Sequence, residues 1–149
     1  TNTYNRTFYD VAISINLTKK GGMMLGWAYG GATFSDTVDS EPTDVAVTAM
    51  GPKLTLYLDK ENLWSLGLTY YLILDGTQSG DTPLTYRGTG LKADFGFTPK
   101  ISESLCFGIN VNYYGASFAE KITNETNLEK VSYSRTVIYP SIAFVYRWE

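Results

Sequence analysis

The sequence predicts an all-β domain folded as an antiparallel up-and-down barrel, and three observations carry that prediction. Apolar residues recur with a period of two rather than 3.6. Tight turns alternate with longer polar connections, the rhythm of a meander with one plain and one elaborated end. Charged residues are nearly excluded from the alternating segments.

Seven segments alternate. The first is Tyr9, Val11, Ile13, Ile15 and Leu17, set against Asp10, Ala12, Ser14 and Asn16. Leu25/Trp27/Tyr29 and Leu54/Leu56/Leu58 follow. The clearest run is Trp64, Leu66, Leu68, Tyr70, Leu72 and Leu74, with Ser65, Gly67, Thr69, Tyr71 and Ile73 on the opposite face. Then come Leu91/Ala93/Phe95/Phe97, the run Leu105, Phe107, Ile109, Val111 and Tyr113, and finally Ile142/Phe144/Tyr146/Trp148. Successive strand side chains point to opposite faces, so each segment has one apolar and one mixed face. Thr18–Gly22, Asp59–Asn62 and Thr98–Ser104 read as tight turns; Ser35–Asp44, Asp75–Pro83 and roughly Ala119–Asn127 read as long polar loops. Nothing reads as a helix.

Composition narrows the function classes. The chain has 149 residues, which suits one domain spanning 1–149. It has no His, which removes Ser-His-Asp and Cys-His activation, His acid/base catalysis and His-ligated metals. A single Cys excludes an internal disulfide and the common zinc-thiolate sites. A net charge of −3 and a pI near 4.9 argue against nucleic acid as a partner. The longest uncharged stretch, Ser104–Ala119, is 16 residues and carries Ser and Asn, so no transmembrane helix fits in it. The chain opens without a start Met or an apolar leader, which reads as a mature or trimmed product.

The charges decide which face is wet. A soluble sheet buries its apolar face and covers the other with charged and polar residues. A small membrane barrel inverts this, with apolar residues toward lipid and the other face filling a narrow interior. Nineteen of the 27 charges fall in turns, in loops or at Glu149; eight fall in strands, namely Arg6, Asp10, Lys53, Arg87, Lys92, Asp94, Arg135 and Arg147. The second face is mostly Gly, Ala, Ser, Asn, Thr and Tyr, including Gly26/Ala28/Gly30 and Gly88/Gly90/Gly96. Such residues suit a crowded interior better than a solvated surface. Several runs reach 10 or more residues, near the roughly 9–11 that a tilted strand needs to cross a bilayer. Aromatics sort into two levels: Trp64, Phe97, Phe107, Tyr146 and Trp148 near the tight turns, and Phe8, Tyr29, Phe34, Tyr70, Tyr86, Tyr113 and Tyr133 toward the loops. Two membrane interfaces select such belts. The expected fold class is therefore a closed antiparallel up-and-down transmembrane β-barrel of about eight strands, of which seven are legible.

The alternating strands, the tight turns opposite longer loops, and the terminal Ile142-Ala143-Phe144-Val145-Tyr146-Arg147-Trp148 resemble the small bacterial outer-membrane β-barrels of the OmpA and OmpX type. The resemblance covers nearly the whole chain as a pattern. It implies that Ile142, Phe144, Tyr146 and Trp148 form an insertion-signal strand read by the barrel-insertion machinery during assembly. It also implies a bacterial outer-membrane location, lipid and lipopolysaccharide as surroundings, and a monomer. Two departures stand out: Glu149 follows the closing aromatic, and seven strands are odd where the family is even-numbered.

The chemistry on offer is mainly ionic. Lys92 and Asp94 sit two apart and share the inward face. With Asp10, Lys53 and Arg147 they are expected to form an interior ionic network that ties strands together, because buried charges must pair. An eight-stranded barrel is only just wide enough to be filled by side chains, so the expected role is structural or interaction-based without a large pore. The competing readings are a narrow channel for small solutes or ions, a soluble lipocalin-like ligand-binding barrel, and a lipid-modifying enzyme. No catalytic residue, metal site or cofactor is expected. Nine loop-end acids (Asp36, Asp39, Glu41, Asp44, Asp75, Asp81, Glu120, Glu125 and Glu129) against Lys121 and Lys130 leave that end at −7, read as a solvated face. Cys106 reads as packing.

Overall fold

Seven strands occupy almost all of the chain: β1 (Thr3–Asn16), β2 (Met23–Val38), β3 (Glu41–Tyr57), β4 (Trp64–Gln78), β5 (Leu84–Phe97), β6 (Leu105–Thr123) and β7 (Asn127–Tyr146). The structure is a computed structural model that describes residues 3–38, 41–80, 83–123 and 127–148. Each strand pairs antiparallel with the next, and the sheet curls into an open half-barrel whose two edges are β1 and β7. All seven alternating segments fall within these strands or overrun them by one or two residues. The expected closure is not formed among the described residues.

The plain end is built by short, self-satisfying turns. In the β1–β2 turn, the Thr18 Oγ1 accepts from Gly22 N at 3.0 Å, and Gly21 takes a positive φ of 67° that only glycine adopts freely. In the β3–β4 turn the Asp59 carboxylate accepts from the backbone N–H of Glu61, Leu63 and Trp64, the last at 2.7 Å, while Asn62 adopts φ 56°. These bonds hold the Asp59 carboxyl below its ordinary value of 3.8, chiefly through the Trp64 N–H.

The other end differs from the sequence expectation. Of the segments read as loops, Ser35–Asp44 and Ala119–Asn127 are largely strand and Asp75–Pro83 is strand over its first four residues: β2 runs to Val38, β3 begins at Glu41, β4 reaches Gln78 and β6 reaches Thr123. Polar residues there continue the hairpin ladders, and backbone pairing outweighs their turn propensity. Asp36, Glu41, Asp44, Asp75, Glu120, Lys121, Glu129 and Lys130 therefore lie on strands. The predicted loop acids Asp39, Asp81 and Glu125 lie outside the described residues.

Alternation sets the two faces. Even-numbered residues of β1, β2, β5 and, up to Phe118, β6 and odd-numbered ones of β3 and β7 point inward, while Val11, Ile13, Leu25, Trp27, Leu66, Leu68, Phe95, Ile142 and Phe144 are exposed; a register shift after Phe118 reverses the parity of the end of β6. β4 changes parity midway. Its pairing with β3 shifts between Met50 and Lys53, and with β5 between Tyr71 and Leu74, so one extra residue sits on β4. Leu72 and Ile73 both face out, and Leu74, expected on the outer face, turns inward and is 1% exposed. Tyr70-Tyr71-Leu72-Ile73-Leu74 is wholly apolar, so its pattern carries no parity information. Prolines sit where ladders tolerate them: Pro52 beside this shift, Pro140 on edge strand β7.

The core lies at the end away from the tight turns, where Phe34, Val47, Tyr71, Leu74, Tyr114 and Phe118 pack inside the curl. Phe8, Phe34, Tyr86 and Tyr133, expected as part of an aromatic belt, are on the inward face, Tyr133 packing edge-on against Tyr86 at 5.8 Å, whereas Tyr29, Tyr70 and Tyr113 are exposed on the outer face. Replacing Leu74 by Ala is expected to cost about 3 kcal/mol in equilibrium unfolding, whereas Leu72→Ala on the outer face costs under about 1 kcal/mol. The Asp59 carboxylate should support the β3–β4 turn fully above pH 3.8, and lose that support as pH falls through its lower folded value. The stability gap between the protein and Asp59→Asn, followed by unfolding from pH 5 to pH 2, should accordingly narrow on acidification.

Candidate functional site

The interior of the curl is divided into two tiers. Toward the tight turns it is polar and ionic; toward the opposite end it is aromatic. Register explains the ionic tier. Lys53 on β3 pairs with Thr69 on β4, and Thr69 pairs with Lys92 on β5, which brings three inward side chains onto one rung. The next rung toward the turns is Thr55, Gly67 and Asp94. Gly67 leaves the Asp94 carboxylate its place there, because a Cβ at that position would press on it and force it to shift.

Two ion pairs cross this space. Lys92 Nζ lies 2.8 Å from Asp10 Oδ2, joining β5 to β1 across the curl. Lys53 Nζ lies 3.7 Å from Asp94 Oδ2, joining β3 to β5 over Gly67. Lys92 and Asp94 are 4% and 6% exposed. The first pair is a charge-assisted hydrogen bond. The second is beyond hydrogen-bonding distance, and Asp94 Oδ2 has no hydrogen-bond partner; neither has the buried Thr69 Oγ1 on the lysine rung. Asp94 borders a polar cavity of about 440 Å³ that is also lined by Asp10, Ser14, Lys53, Lys92 and Asn110, among others.

Arg147, expected in a single network with these four, lies apart and just beyond the end of β7. Its Nη2 donates to Tyr57 Oη at 3.1 Å and to the Asn62 carbonyl at 3.2 Å, and its guanidinium sits 4.9 Å from the Tyr57 ring centre. The separation follows from height. Arg147 reaches across the turn-end mouth to the β3–β4 turn, whereas the lysine pairs lie farther inside. Three bridges thus join β1, β3, β5 and β7. Of the proposed insertion-signal residues, Ile142, Phe144 and Tyr146 are on the exposed face of β7, and Trp148 follows the strand, exposed and 6.0 Å from the Tyr146 ring.

Sequence reading missed the aromatic tier. Phe8 stacks on Tyr139 at 4.0 Å with the rings 9° apart, and contacts Phe34 and Tyr114 edge-on, each at 5.7 Å. Tyr71 meets Tyr114 at 6.1 Å, and the Arg135 guanidinium lies 4.8 Å from the Phe34 ring centre. The void where this tier meets Lys92 is about 10 Å³, room for one water at most. Asn112, also missed, is fully buried and donates from Nδ2 to Ser141 Oγ at 2.8 Å and to the Tyr139 carbonyl at 3.2 Å, which fixes the stacked ring on β7. The available signal was parity: Phe8, Phe34, Tyr71, Asn112, Tyr114 and Tyr139 all fall on the inward set. Cys106 is buried with a free thiol.

On the outer face, Trp64 packs against Phe97 at 4.7 Å and Phe95 at 5.5 Å, and Phe107 against Phe144 at 5.3 Å, a cluster of aromatics near the tight turns. The Arg87–Asp75 pair is half-exposed at 3.6 Å and contributes little to stability. Compared with protein-family models, curated proteins and solved structures, the chain matches none.

Lys92→Met strands the Asp10 carboxylate and should cost about 3 kcal/mol in equilibrium unfolding. Adding Asp10→Asn to that variant should restore part of the loss, and a double-mutant cycle measures the coupling.

Proposed function

We propose that this chain forms the wall of a small bacterial outer-membrane β-barrel with a side-chain-filled interior, serving a structural or interaction role without a large pore. The observation that carries the reading is the inverted distribution of side chains. The continuous outer face is apolar, including Ile13, Leu66, Leu68 and Phe95, while Lys92 and Asp94 are buried inside. Water penalises an apolar face of that extent, and lipid accepts it. The aromatic cluster near the turns and the exposed Tyr29, Tyr70 and Tyr113 toward the other end suit two interfacial belts. Strands of 14 to 20 residues are long enough to cross a bilayer and project beyond it. In this reading the barrel is closed, since unpaired strand edges in hydrocarbon cost several kcal/mol per group. It agrees with the resemblance to OmpA- and OmpX-type barrels, and places β7 as the insertion-signal strand.

The same reading assigns no catalytic residue, metal or cofactor. The polar cavity near the turns supports a second reading, a narrow path for small ions, but the packed rings of Phe8, Phe34, Tyr114 and Tyr139 obstruct it toward the other end.

Refolding decides between lipid and water. The protein should fold into detergent micelles or lipid vesicles and show a heat-sensitive shift in gel mobility. A soluble, folded monomer obtained without detergent would instead support a ligand-binding barrel. In planar bilayers the pure protein should give no well-defined single-channel steps; regular steps would favour the narrow path.

A further inference from the structure

The outer face changes character along the strands, and the inner face changes with it. On the tight-turn side the outward residues Ile13, Leu25, Trp27, Leu68, Phe95 and Val111 are apolar and exposed, while the buried inward ones include Thr69, Lys92 and Asp94. On the far side the order is reversed. Thr33, Thr48, Thr77, Thr89, Ser117 and Ser134 are exposed on the outer face, and Phe34, Val45, Val47, Leu74 and Phe118 fill the inner one. The change falls at the level of Tyr9, Tyr29, Tyr70 and Tyr113, outward rings that are 43–52% exposed.

A row of charge crosses the outer face beyond that level. Asp75 of β4 lies opposite Arg87 of β5, Arg87 opposite Glu120 of β6, and Glu120 opposite Lys130 of β7. Residues opposite one another in a ladder share a face, so four charges of alternating sign line up across adjacent strands. Hydrocarbon penalises such a row on the lipid side of a barrel. Leu128, near the start of β7, is an exposed aliphatic exception on this side. Inside, Arg6 and Arg135 lie 6.0 and 4.8 Å from the Phe34 ring centre and cap the apolar interior with charge. Lengths agree with the side chains. Met23 to Tyr29, Phe107 to Tyr113 and Leu17 to Tyr9 are six to eight residue steps, roughly 20–26 Å along a strand. At a tilt near 40° that is about 15–20 Å of height, within an apolar band of about 25 Å. Past the tyrosines the strands continue for a similar distance, over residues 31–38 of β2, 41–49 of β3 and 115–123 of β6.

We infer that hydrocarbon covers the turn-side zone alone, up to the level of Tyr9, Tyr29, Tyr70 and Tyr113, and that the far zone stands in water with its polarity the ordinary way round. This rests on the membrane reading and adds a water-facing zone to it. In that zone Phe34, Leu74 and Phe118 are buried behind a hydroxyl-rich outer face, the arrangement of a soluble antiparallel sheet. Its outer surface offers hydroxyls and paired charges, so it fits a hydrated, hydrogen-bonding partner and rejects acyl chains. The interaction surface of the wall is therefore the far zone, and the turn-side zone is its anchor.

The test places one outward cysteine at a time in a Cys106→Ser background, with the whole chain folded into phosphatidylcholine vesicles and labelled with an environment-sensitive fluorophore. Two quenchers are compared, nitroxide on the lipid acyl chains and iodide in the water. The ratio of nitroxide to iodide quenching should be at least about threefold higher at Leu68→Cys, Phe95→Cys and Val111→Cys than at Thr33→Cys, Thr48→Cys and Ser117→Cys. Arginine substitutions need no label. Leu68→Arg should lower the equilibrium constant for folding into vesicles at least about thirtyfold, whereas Ser117→Arg should leave it within about threefold. Equal quenching ratios on both sides of the tyrosines, or equal losses from the two arginines, would overturn the inference by extending hydrocarbon over the whole outer face, and would leave the membrane reading standing. Quenching by iodide alone at every position, in a protein that folds without lipid, would remove both.

Discussion

A buried lysine that cannot be left unpaired sets the shape of this wall. Lys92 is almost wholly buried at the middle of β5, and its partner is Asp10 on the opposite edge of the sheet. A flat seven-stranded sheet would hold those groups far apart. Curling brings β1 over β5 and allows a 2.8 Å contact. The natural twist of a sheet supplies the tendency to curl, and the buried charge supplies a particular closing geometry. Gly67, the small residues of β2 and the inward rings of β6 and β7 are arranged around that contact.

The two-tier interior follows from the same limit on space. A curl of this width holds either interlocking rings or a few bridged charges at each level. Near the tight turns, Lys53, Asp94 and Arg147 reach across and leave a polar cavity between them. Toward the other end, Phe8, Phe34, Tyr71, Tyr114 and Tyr139 close the space, and Asn112 anchors the ring contributed by β7. An aromatic tier above an ionic one fits a proposed barrel that is held rigid rather than opened. Among the described residues, β1 and β7 are the two edges at which the sheet stays open.

Much of the architecture was legible because alternation is a strong, local signal. Trp64 to Tyr70 reads as a strand from side chains alone, and so does Leu105 to Tyr113. Legibility failed where that signal vanished. Tyr70 to Leu74 is apolar at every position, so the parity change that turns Leu74 inward could not be read. Polar composition misled at Ser35–Asp44 and Ala119–Asn127, where hairpin pairing carries the strands through residues that favour turns. At the site, the inward placement of Lys92, Asp94, Lys53 and Asp10 follows from parity. Which cation meets which anion does not, and Arg147 was grouped with them although it serves the turn-end mouth.

Sequence by itself determined the period, the number of strands described, the location of the tight turns and the sorting of side chains onto two faces, because each depends on neighbours a few residues apart. Tertiary structure alone decided the partner of each buried charge, the stacking of Phe8 on Tyr139, and the open seam between two strands that run the same way. Those contacts join residues as much as 131 positions apart in the chain. They exist only once the whole sheet has curled, and no local pattern encodes the radius at which it does.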